Sequence, residues 1–413
     1  MRLLAGKAAE KRVRELAARA SRLDAVEPQV RKIVADVRRD GDRALLKYAR
    51  KWDSLQAGQP LRVAPAEIRS AWKSAGPDLR SALERAAANI QRFCEWQKPA
   101  EWVRKSDGIS LGQLVRPLDS VGCYVPGGRY PLPSTLLMTV IPAQVAGVRE
   151  IRVVSPKPRP ETLAAAALLG VTEFYRVGGA HAVAALAYGT ESIARVDKIV
   201  GPGNLYVTAA KKLVAFDCSI DFLAGPTEVV IVAESGEAAF IAADLVAQAE
   251  HDPETLPVFI ASSKAFAKEV AACAKAAAKN NAIARQSLAS NGVALVAPSH
   301  AQALEWANVI APEHITVARA DVAAVRSAGS VFVGDYSPQA VGDYASGPNH
   351  VLPTAGAARY RGGLSVLDFL KLITVQELTP TALRGIAPVV TRLAEAEGLE
   401  AHAESVRVRC AHA

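Results

Sequence analysis

The chain has 413 residues, of which 50% are hydrophobic and 22% are charged, and its formal net charge is +8. This composition predicts a folded protein with a sizeable core, excludes an intrinsically disordered chain, and leaves room for two or three domains. The basic residues alternate with acidic ones at helical spacing and accompany no DNA- or RNA-binding motif, which argues against a nucleic-acid partner. An anionic ligand such as a dinucleotide would also suit a basic protein.

The first hundred residues predict helices. Periodic apolar residues place them at 7–22, 30–52, 65–75 and 77–96. The pattern then changes to short apolar strands that alternate with Ala-rich helices, beginning with EIRVVSPKP, TLAAAALLG and VTEFYRVGG. Such alternation predicts a parallel sheet with crossover helices.

A second set of strands follows a junction near residues 218–230. Its members are PTEVVIVAE, LPVFIASS, GVALVAPS, HITVA and SVFVGDY, and Ala-rich helical runs, ending with DVAAVRSA, lie between them. After about Leu370 the strands are expected to stop, and residues 379–409 predict a helical tail with a break at Gly398. The fold class is therefore α/β, with two Rossmann-like parallel-sheet domains, an N-terminal helical region and a helical C-terminal tail.

The cysteines and the apolar segments indicate the cellular compartment of the protein. The five cysteines are scattered and form no CxxC pair, so neither a Cys-rich zinc site nor a disulfide is expected. No stretch has the character of a signal peptide or membrane span, since LLMTVIPAQVAGV is short and contains Pro142. We therefore expect a cytoplasmic protein with no membrane partner.

The segment QAEHD carries two candidate metal ligands, Gln248 and His251. They lie three residues apart at the end of a predicted helix, so their side chains share one face. An amide oxygen and an imidazole are ligands that a divalent metal such as zinc accepts. The same pattern is typical of an ordinary helix C-terminus, so both interpretations stay open at this point.

Two more polar breaks combine histidine with carboxylates. APEHITV holds Glu313 and His314, and VGDYASGPNHVLPT holds Asp343 and His350. Imidazoles in such places suit metal ligation or acid–base catalysis. Adjacent residues of a strand point to opposite faces, so Glu313 and His314 can share a pocket only within the turn that Pro312 introduces. An exposed Glu beside a capping His is the alternative.

Gly-rich turns follow several predicted strands, in VPGG (Gly127 and Gly128), VGGAH and GPGN. Open α/β sheets bind ligands at such turns. None of them is a GxGxxG motif and there is no P-loop, so nucleotide binding and plain tight turns both remain possible interpretations.

Taken together, these motifs resemble the histidinol dehydrogenase family. The similar segments occur in family order over about residues 20 to 408: DSVGCYVPGGRYPLPSTLLMTVIPAQVAGV, VDKIVGPGNLYVTAAKK, DFLAGPTEVVIVAESG, QAEHD, APEHITV, GDYASGPNHVLPT and EGLEAHAESVRVR. The resemblance implies oxidation of L-histidinol through L-histidinal to L-histidine with two NAD+, in histidine biosynthesis. It also implies a homodimer with one zinc ion per active site.

The resemblance implies roles for individual residues. The implied zinc ligands are Gln248, His251, Asp343 and His402, and the implied acid–base pair is Glu313 and His314. Substrate contacts would come from Thr227, His350 and Glu397, together with His314 and the metal ligands; NAD contacts would come from Tyr124, His181 and Asn204. His181 stands where the family often has Gln, and Thr227 where Ser is common, although Thr keeps the hydroxyl.

The predicted domains are intertwined along the chain. The first α/β domain is assigned residues 1–22, 118–228 and 362–374, and the second residues 23–117 and 229–361. Residues 375–413 form a dimerisation tail whose Glu397 and His402 are expected to complete the partner's active site.

The alternative function keeps the fold and changes the substrate, to another primary alcohol such as a sulfonated diol oxidised by a related zinc- and NAD-dependent dehydrogenase. Glu397 and His350 favour an imidazole over an anionic substrate, which would call for an Arg. A zinc-binding protein without redox activity, or a metallohydrolase, would form no NADH with any alcohol.

Overall fold

The computed structural model describes residues 1–19, 23–127 and 130–412. In chain order the strands are β1 (Arg2–Ala5), β2 (Trp102–Ser106), β3 (Ile109–Pro117), β4 (Ser120–Tyr124), β5 (Glu150–Val154), β6 (Glu173–Tyr175), β7 (Lys198–Val200), β8 (Ser219–Ile220), β9 (Glu228–Val232), β10 (Leu256–Ala261), β11 (Val293–Val296), β12 (His314–Val317), β13 (Ser330–Val333) and β14 (Leu370–Leu378). Most are short, apolar and buried, as strands covered by helices on both faces must be.

The helices fill the connections between these strands. They are α1 (Lys7–Ala17), α2 (Glu27–Trp52), α3 (Pro65–Ser74), α4 (Pro77–Gln97), α5 (Pro133–Ala146), α6 (Pro160–Leu168), α7 (Gly179–Tyr188), α8 (Leu205–Val214), α9 (Ala238–Ala249), α10 (Lys264–Ala277), α11 (Ala282–Ser290), α12 (His300–Ile310), α13 (Gln339–Tyr344), α14 (Pro380–Ala396) and α15 (Glu400–His412). Among the described residues, no helix is both long and apolar enough to cross a membrane.

The first parallel sheet has the strand order β6-β5-β4-β7-β8. The chain moves outward from β4 through β5 to β6 and then returns to place β7 on the other side of β4. The order of the strands therefore reverses between β4 and β7. In open α/β sheets, this reversal opens a ligand-binding crevice at the carboxyl ends of the strands.

The second parallel sheet has the order β1-β11-β10-β9-β12-β13 and contains all five strands predicted for the second unit. The α/β class and its alternating strands and helices are thus confirmed. One predicted helical run differs: within DVAAVRSA the chain forms only a short 3₁₀ turn, Arg319–Ala324, followed by extended chain.

The N-terminal domain assignments are the reverse of those predicted. β1 pairs in parallel with β11, and α1 packs against α12, so residues 1–19 belong to the second unit. Helices α2 to α4 instead pack on the first sheet. The sequence conceals this because RLLA is a four-residue edge strand, too short to show a period. The predicted end of the first helix, Arg22, lies outside the described residues.

The prediction that strands stop after about Leu370 is also wrong. β14 pairs antiparallel with β3 along its whole length, and β2 completes a three-stranded sheet. The tail beyond it is helical as predicted, with α14 and α15 separated at Gly398, whose φ of 75° is left-handed. The two tail helices pack chiefly against each other.

A buried ion pair fixes the loop that follows β7. The Lys211 ammonium contacts the Asp221 carboxylate and donates to the Gly201 carbonyl at 3.0 Å, and the Gly201 amide donates to Asp221 at 2.8 Å. Lys211 is 2% exposed and Asp221 7%. Because charges need water or a partner, this pair holds the GPGN turn at the edge of the crevice.

We expect Asp221→Ala to destabilise the fold by about 3–5 kcal/mol, because Lys211 would keep a buried, uncompensated charge. Asp217→Ala, just before β8 and with an exposed side chain, should stay within about 0.5 kcal/mol of the unmodified protein. Chemical denaturation monitored by circular dichroism measures both. Equal losses of unfolding free energy in the two variants would show that the Lys211–Asp221 pair does not stabilise this loop.

Candidate active site

The Glu313 and His314 side chains meet at the amino end of β12, beside the amino end of β9. Both residues are buried, at 7% and 3% exposure, and the His314 Nδ1 lies 3.7 Å from the Glu313 Oε2. Glu313 lies before the first residue of β12, in the turn after α12 that the sequence required for a shared pocket. The exposed-Glu alternative is therefore excluded.

Backbone groups of β9 hold this pair in place. The Glu228 amide donates to the Glu313 Oε2 at 3.0 Å, and the Glu228 carbonyl lies 3.3 Å from the His314 Nδ1. With Nδ1–H donating to that carbonyl, the His314 Nε2 is left as the basic nitrogen. Nε2 faces Asp343, whose Oδ1 lies 3.6 Å away.

Burial and neighbouring charges shift the pKa of both groups. Burial raises the pKa of Glu313 to about 8, although the adjacent His314 opposes the change. Burial lowers the pKa of His314, but the carboxylates of Glu313 and Asp343 more than offset it, and the net direction is a raised pKa. Perturbed titrating groups in such an arrangement are typical of an acid–base centre.

Asp343 connects this pair to QAEHD. The Gln248 Nε2 donates to the Asp343 Oδ2 at 3.1 Å across 95 residues of sequence. Burial raises the pKa of Asp343, yet the charges of His314, His350 and His251 outweigh it and keep that pKa below its usual value. Gln248 is 1% exposed in the last turn of α9, and His251 follows the helix as an exposed residue.

His350 links α13, which carries Asp343, to the first parallel sheet. The Asp343 carbonyl lies 2.7 Å from the His350 Nδ1, and the Thr135 Oγ1 in the first turn of α5 lies 3.3 Å from the His350 Nε2. Burial lowers the pKa of His350 and favours its neutral form. Through His350 and Asp343, the acid–base pair is thus connected to α5, the helix that follows β4 at the crevice of the first sheet.

Thr227 precedes β9 and is half-buried. Its carbonyl accepts from the Leu256 amide at 2.9 Å, and no side-chain hydrogen bond of its hydroxyl occurs within the described parts of the chain. The hydroxyl remains available at the amino end of β9, the strand whose backbone groups contact Glu313 and His314.

His402 and Glu397 are exposed residues of the tail. Within the described ranges of one chain, no group of three or more His, Cys, Asp and Glu side chains could hold a metal ion. Gln248, Asp343 and His251 offer mixed oxygen and nitrogen donors, which suit zinc. A single chain therefore brings together part of the predicted zinc set and leaves out its tail member.

The three residues predicted to contact NAD differ in their placement. Asn204 caps α8, its side chain accepting from the amides of Tyr206 and Val207, and is exposed at the edge of the crevice. The Tyr124 hydroxyl, at the end of β4, accepts from the Gly179 amide at 3.0 Å. Tyr124 is 3% exposed, and burial raises the pKa of its phenol.

His181 is a core residue at 1% exposure. Its Nε2 lies 2.7 Å from the Asp53 carboxylate, its ring packs beside Tyr48 and Trp52, and its Nδ1 is buried without a partner among the described residues. A direct contact with a cofactor would require the ring to leave this packing. Gly128, from the VPGG turn, lies outside the described residues.

Sequence reasoning missed two supporting residues, Glu228 and Arg19. The Arg19 guanidinium pairs with the Glu228 carboxylate and also donates to the Ile310 carbonyl at 2.7 Å, just before the Glu313 turn. The Ala355 amide donates to the same carboxylate at 2.9 Å. A charged residue opening the apolar strand EVVIV was the signal that could have identified Glu228.

Comparison with known proteins shows the family to which the chain belongs. Residues 16–410 match the family model described as histidinol dehydrogenase. The chain is 46% identical to the histidinol dehydrogenase of Methanothermobacter thermautotrophicus, over 97% of each chain, and 47% identical to that of Thermus thermophilus, over 93% of this chain and 94% of the relative. The crystal structure of histidinol dehydrogenase from Elizabethkingia anophelis superposes with a TM-score of 0.93 at 34% identity, covering 99% of this chain and 98% of that one. On the match over nearly its full length, the chain belongs to the histidinol dehydrogenase family.

Proposed function

We propose that the protein oxidises L-histidinol through L-histidinal to L-histidine with two NAD+, as a zinc-dependent cytoplasmic homodimer in histidine biosynthesis. The observation that carries the proposal is the buried His314 with Glu313 on one side and Asp343, bound by Gln248, on the other. One base, one second carboxylate and one set of mixed metal donors are the groups that two successive oxidations at one carbon need.

Gln248, His251 and Asp343 of one chain, with His402 of the tail, would hold the zinc ion. Zinc in such a site supplies a Lewis acid that polarises an oxygen and a template that orients the substrate. The Gln248–Asp343 contact already places two of these side chains together.

In the first oxidation, the His314 Nε2 would accept the hydroxyl proton of the substrate, and NAD+, when bound, would supply the hydride acceptor. The Glu228 carbonyl fixes the orientation of His314 through Nδ1, and Asp343 stabilises the imidazolium that forms. The Glu228 carbonyl belongs to the backbone of β9, and Asp343 lies in α13, where its own carbonyl contacts the His350 Nδ1.

In the second step, a water molecule must add to the aldehyde carbon, and Glu313 is the group that activates it. The Glu313 Oε2 accepts from the Glu228 amide, which leaves its other oxygen for the water. His350 and Thr227 would contact the substrate from the same chain, and Glu397 would contact the imidazole of the substrate from the partner. Burial keeps the reactive aldehyde away from bulk water.

The exposed apolar side chains of β14 and the tail support the homodimer. Leu372, Val389 and Leu393 are 52%, 58% and 61% exposed, and they form no part of the core of the single chain. Apolar side chains left in solvent on a strand and an adjoining helix are typical of a protein–protein interface.

The purified protein, given L-histidinol and NAD+, should form two NADH for each L-histidine. A ratio above two would indicate release of the aldehyde after the first oxidation, and no NADH with L-histidinol but turnover of a sulfonated diol would favour the alternative substrate. Absence of NADH with every primary alcohol would overturn the dehydrogenase mechanism.

His251→Ala should lower bound zinc from about one ion per chain to nearly none, because loss of one ligand leaves the site short of its coordination number. Metal content after gel filtration measures the effect. His300→Ala removes a histidine at the other end of the second sheet, where it contacts Glu234 and Asp321, and should keep its zinc. Full zinc content in the His251 variant would show that this residue is not a ligand.

A further inference from the structure

The side chain of Glu228 has no part in the proposed mechanism, although its backbone contacts both members of the acid–base pair. Its amide donates to the Glu313 Oε2 at 3.0 Å, and its carbonyl lies 3.3 Å from the His314 Nδ1. Its carboxylate binds Arg19 and accepts from the Ala355 amide at 2.9 Å. Glu228 is 4% exposed, so the carboxylate depends on these partners to stay charged in the core.

Arg19 uses every N–H group of its guanidinium. Its Nε and one terminal nitrogen bind the two oxygens of the Glu228 carboxylate, a bidentate arrangement that fixes the geometry of the pair. The remaining N–H groups donate to the carbonyls of Leu16, of Ile310 at 2.7 Å and of Ala311 at 3.2 Å. A guanidinium has five donors in a rigid plane, whereas a lysine ammonium has three on one nitrogen. This set of contacts is therefore specific to arginine.

Two alanines with a left-handed backbone flank the ion pair. Ala311 has a φ of 51° and Ala355 a φ of 53°. Residues other than glycine rarely adopt such angles, because the Cβ comes too close to a backbone carbonyl, and surrounding contacts must hold them there. Arg19 binds the Ala311 carbonyl, and Glu228 accepts from the Ala355 amide. One ion pair thus stabilises two strained turns.

The turn at Ala311 determines where the Glu313 side chain lies. Ala311 ends α12 two residues before Glu313, whose carbonyl accepts from the Ser330 amide at 2.9 Å, on one side of the turn. His314 is held differently, because it is the first residue of β12 and pairs with both β9 and β13. A change at Arg19 should therefore displace the Glu313 carboxylate more than the His314 imidazole.

We propose that the Arg19–Glu228 ion pair is a positioning element that aims the Glu313 carboxylate at the water molecule of the second oxidation. The inference rests on the proposed dehydrogenase function. Both residues act through the Ala311 turn and through the Glu228 amide that donates to Glu313. Loss of the pair should slow the aldehyde-to-acid step and spare hydride transfer from the alcohol.

Arg19→Lys tests the proposal with the charge kept. The ammonium can still pair with Glu228, but it cannot also reach the carbonyls of Ile310 and Ala311. Single-turnover oxidation of L-histidinal should slow at least about tenfold, whereas formation of the first NADH from L-histidinol should change less than about twofold. A role in folding alone would lower both rates together, so the ratio of the two rates identifies a positioning role.

Arg359→Lys is the matched control. The Arg359 guanidinium donates to the Ala17 carbonyl at 2.8 Å and to the Val309 carbonyl at 2.7 Å, so it joins α1 to α12 without using the Glu228 carboxylate. Both rates should match those of the unmodified protein. A step-selective loss in this variant as well would overturn the proposal, because the packing of α1 on α12 would then position Glu313.

Glu228→Gln breaks the pair from the other side, keeps an acceptor for the Ala355 amide, and should show the same selective loss. Combined with Arg19→Lys, it should slow L-histidinal oxidation no further than the more affected single variant, since both changes remove one contact. Equal slowing of both oxidations, or an unchanged ratio in either variant folded by circular dichroism, would overturn the inference and leave the proposed function intact. An unmodified protein that forms no NADH from L-histidinol would refute the proposed function and this inference with it.

Discussion

His314→Gln is expected to slow L-histidinol oxidation by about 10²–10⁴-fold, because the amide cannot take the hydroxyl proton. Glutamine can still donate to the Glu228 carbonyl that holds the His314 Nδ1 at 3.3 Å, so the fold should be kept. Single-turnover formation of the first NADH measures the effect. His300→Gln is the matched control and should retain its rate, since His300 lies at the other end of the second sheet.

Glu313→Gln is expected to separate the two oxidations. Hydride transfer from the alcohol should be largely retained, whereas the aldehyde-to-acid step should fall by about 10²-fold or more, because the amide cannot activate water. Supplying L-histidinal directly isolates this step. An equal loss with both substrates would contradict the division of roles between Glu313 and His314.

Much of the fold follows from residue patterns alone. The strands EVVIV and HITV are apolar, β-branched and bounded by turn residues, and both become buried strands of one parallel sheet. Such strands are recognisable because burial on both faces leaves no room for polar side chains. The four N-terminal helices were found for a similar local reason, since their apolar residues recur at helical spacing.

Pairings between distant segments were not predictable in this way. β1 joins the second sheet only through β11, and nothing in RLLA specifies that partner. β14 has the alternation of a strand, but both of its faces are largely exposed in the single chain, so no burial pattern distinguishes it from a loop. The spacing of apolar residues indicates which face of a strand is buried. It does not indicate which other strand pairs with it.

The candidate site shows the same limit. The helical spacing of Gln248 and His251 predicts that they share a face, but the Gln248–Asp343 contact spans 95 residues and came only from the family resemblance. The family resemblance implied an NAD contact for His181. In the structure its Nε2 lies 2.7 Å from the Asp53 carboxylate, 128 residues away, and a contact of that kind leaves no local signal in the sequence.

The second large effect concerns the tail. We expect that His251→Ala and His402→Ala proteins are each inactive, and that mixing them after dissociation restores about one quarter of the unmodified activity for random pairing. If the tail completes the partner's site, one site of each heterodimer carries both lesions and the other carries neither. The exposure of Glu397 and His402 in the single chain, away from Gln248 and Asp343, is the structural reason for this expectation.

A matched mixture distinguishes exchange of tails from a general effect of mixing. His251→Ala with His314→Gln places both lesions in the same part of the chain, so every site of the heterodimer keeps one lesion and activity should not return. Heterodimer formation is verified with two different affinity tags. Heterodimers of the first pair that stay inactive would show that each site is built within one chain, and the tail would then have to fold back onto α13 of its own chain. The described arrangement opposes that outcome, because α14 and α15 pack chiefly on each other and leave apolar side chains such as Leu393 in solvent.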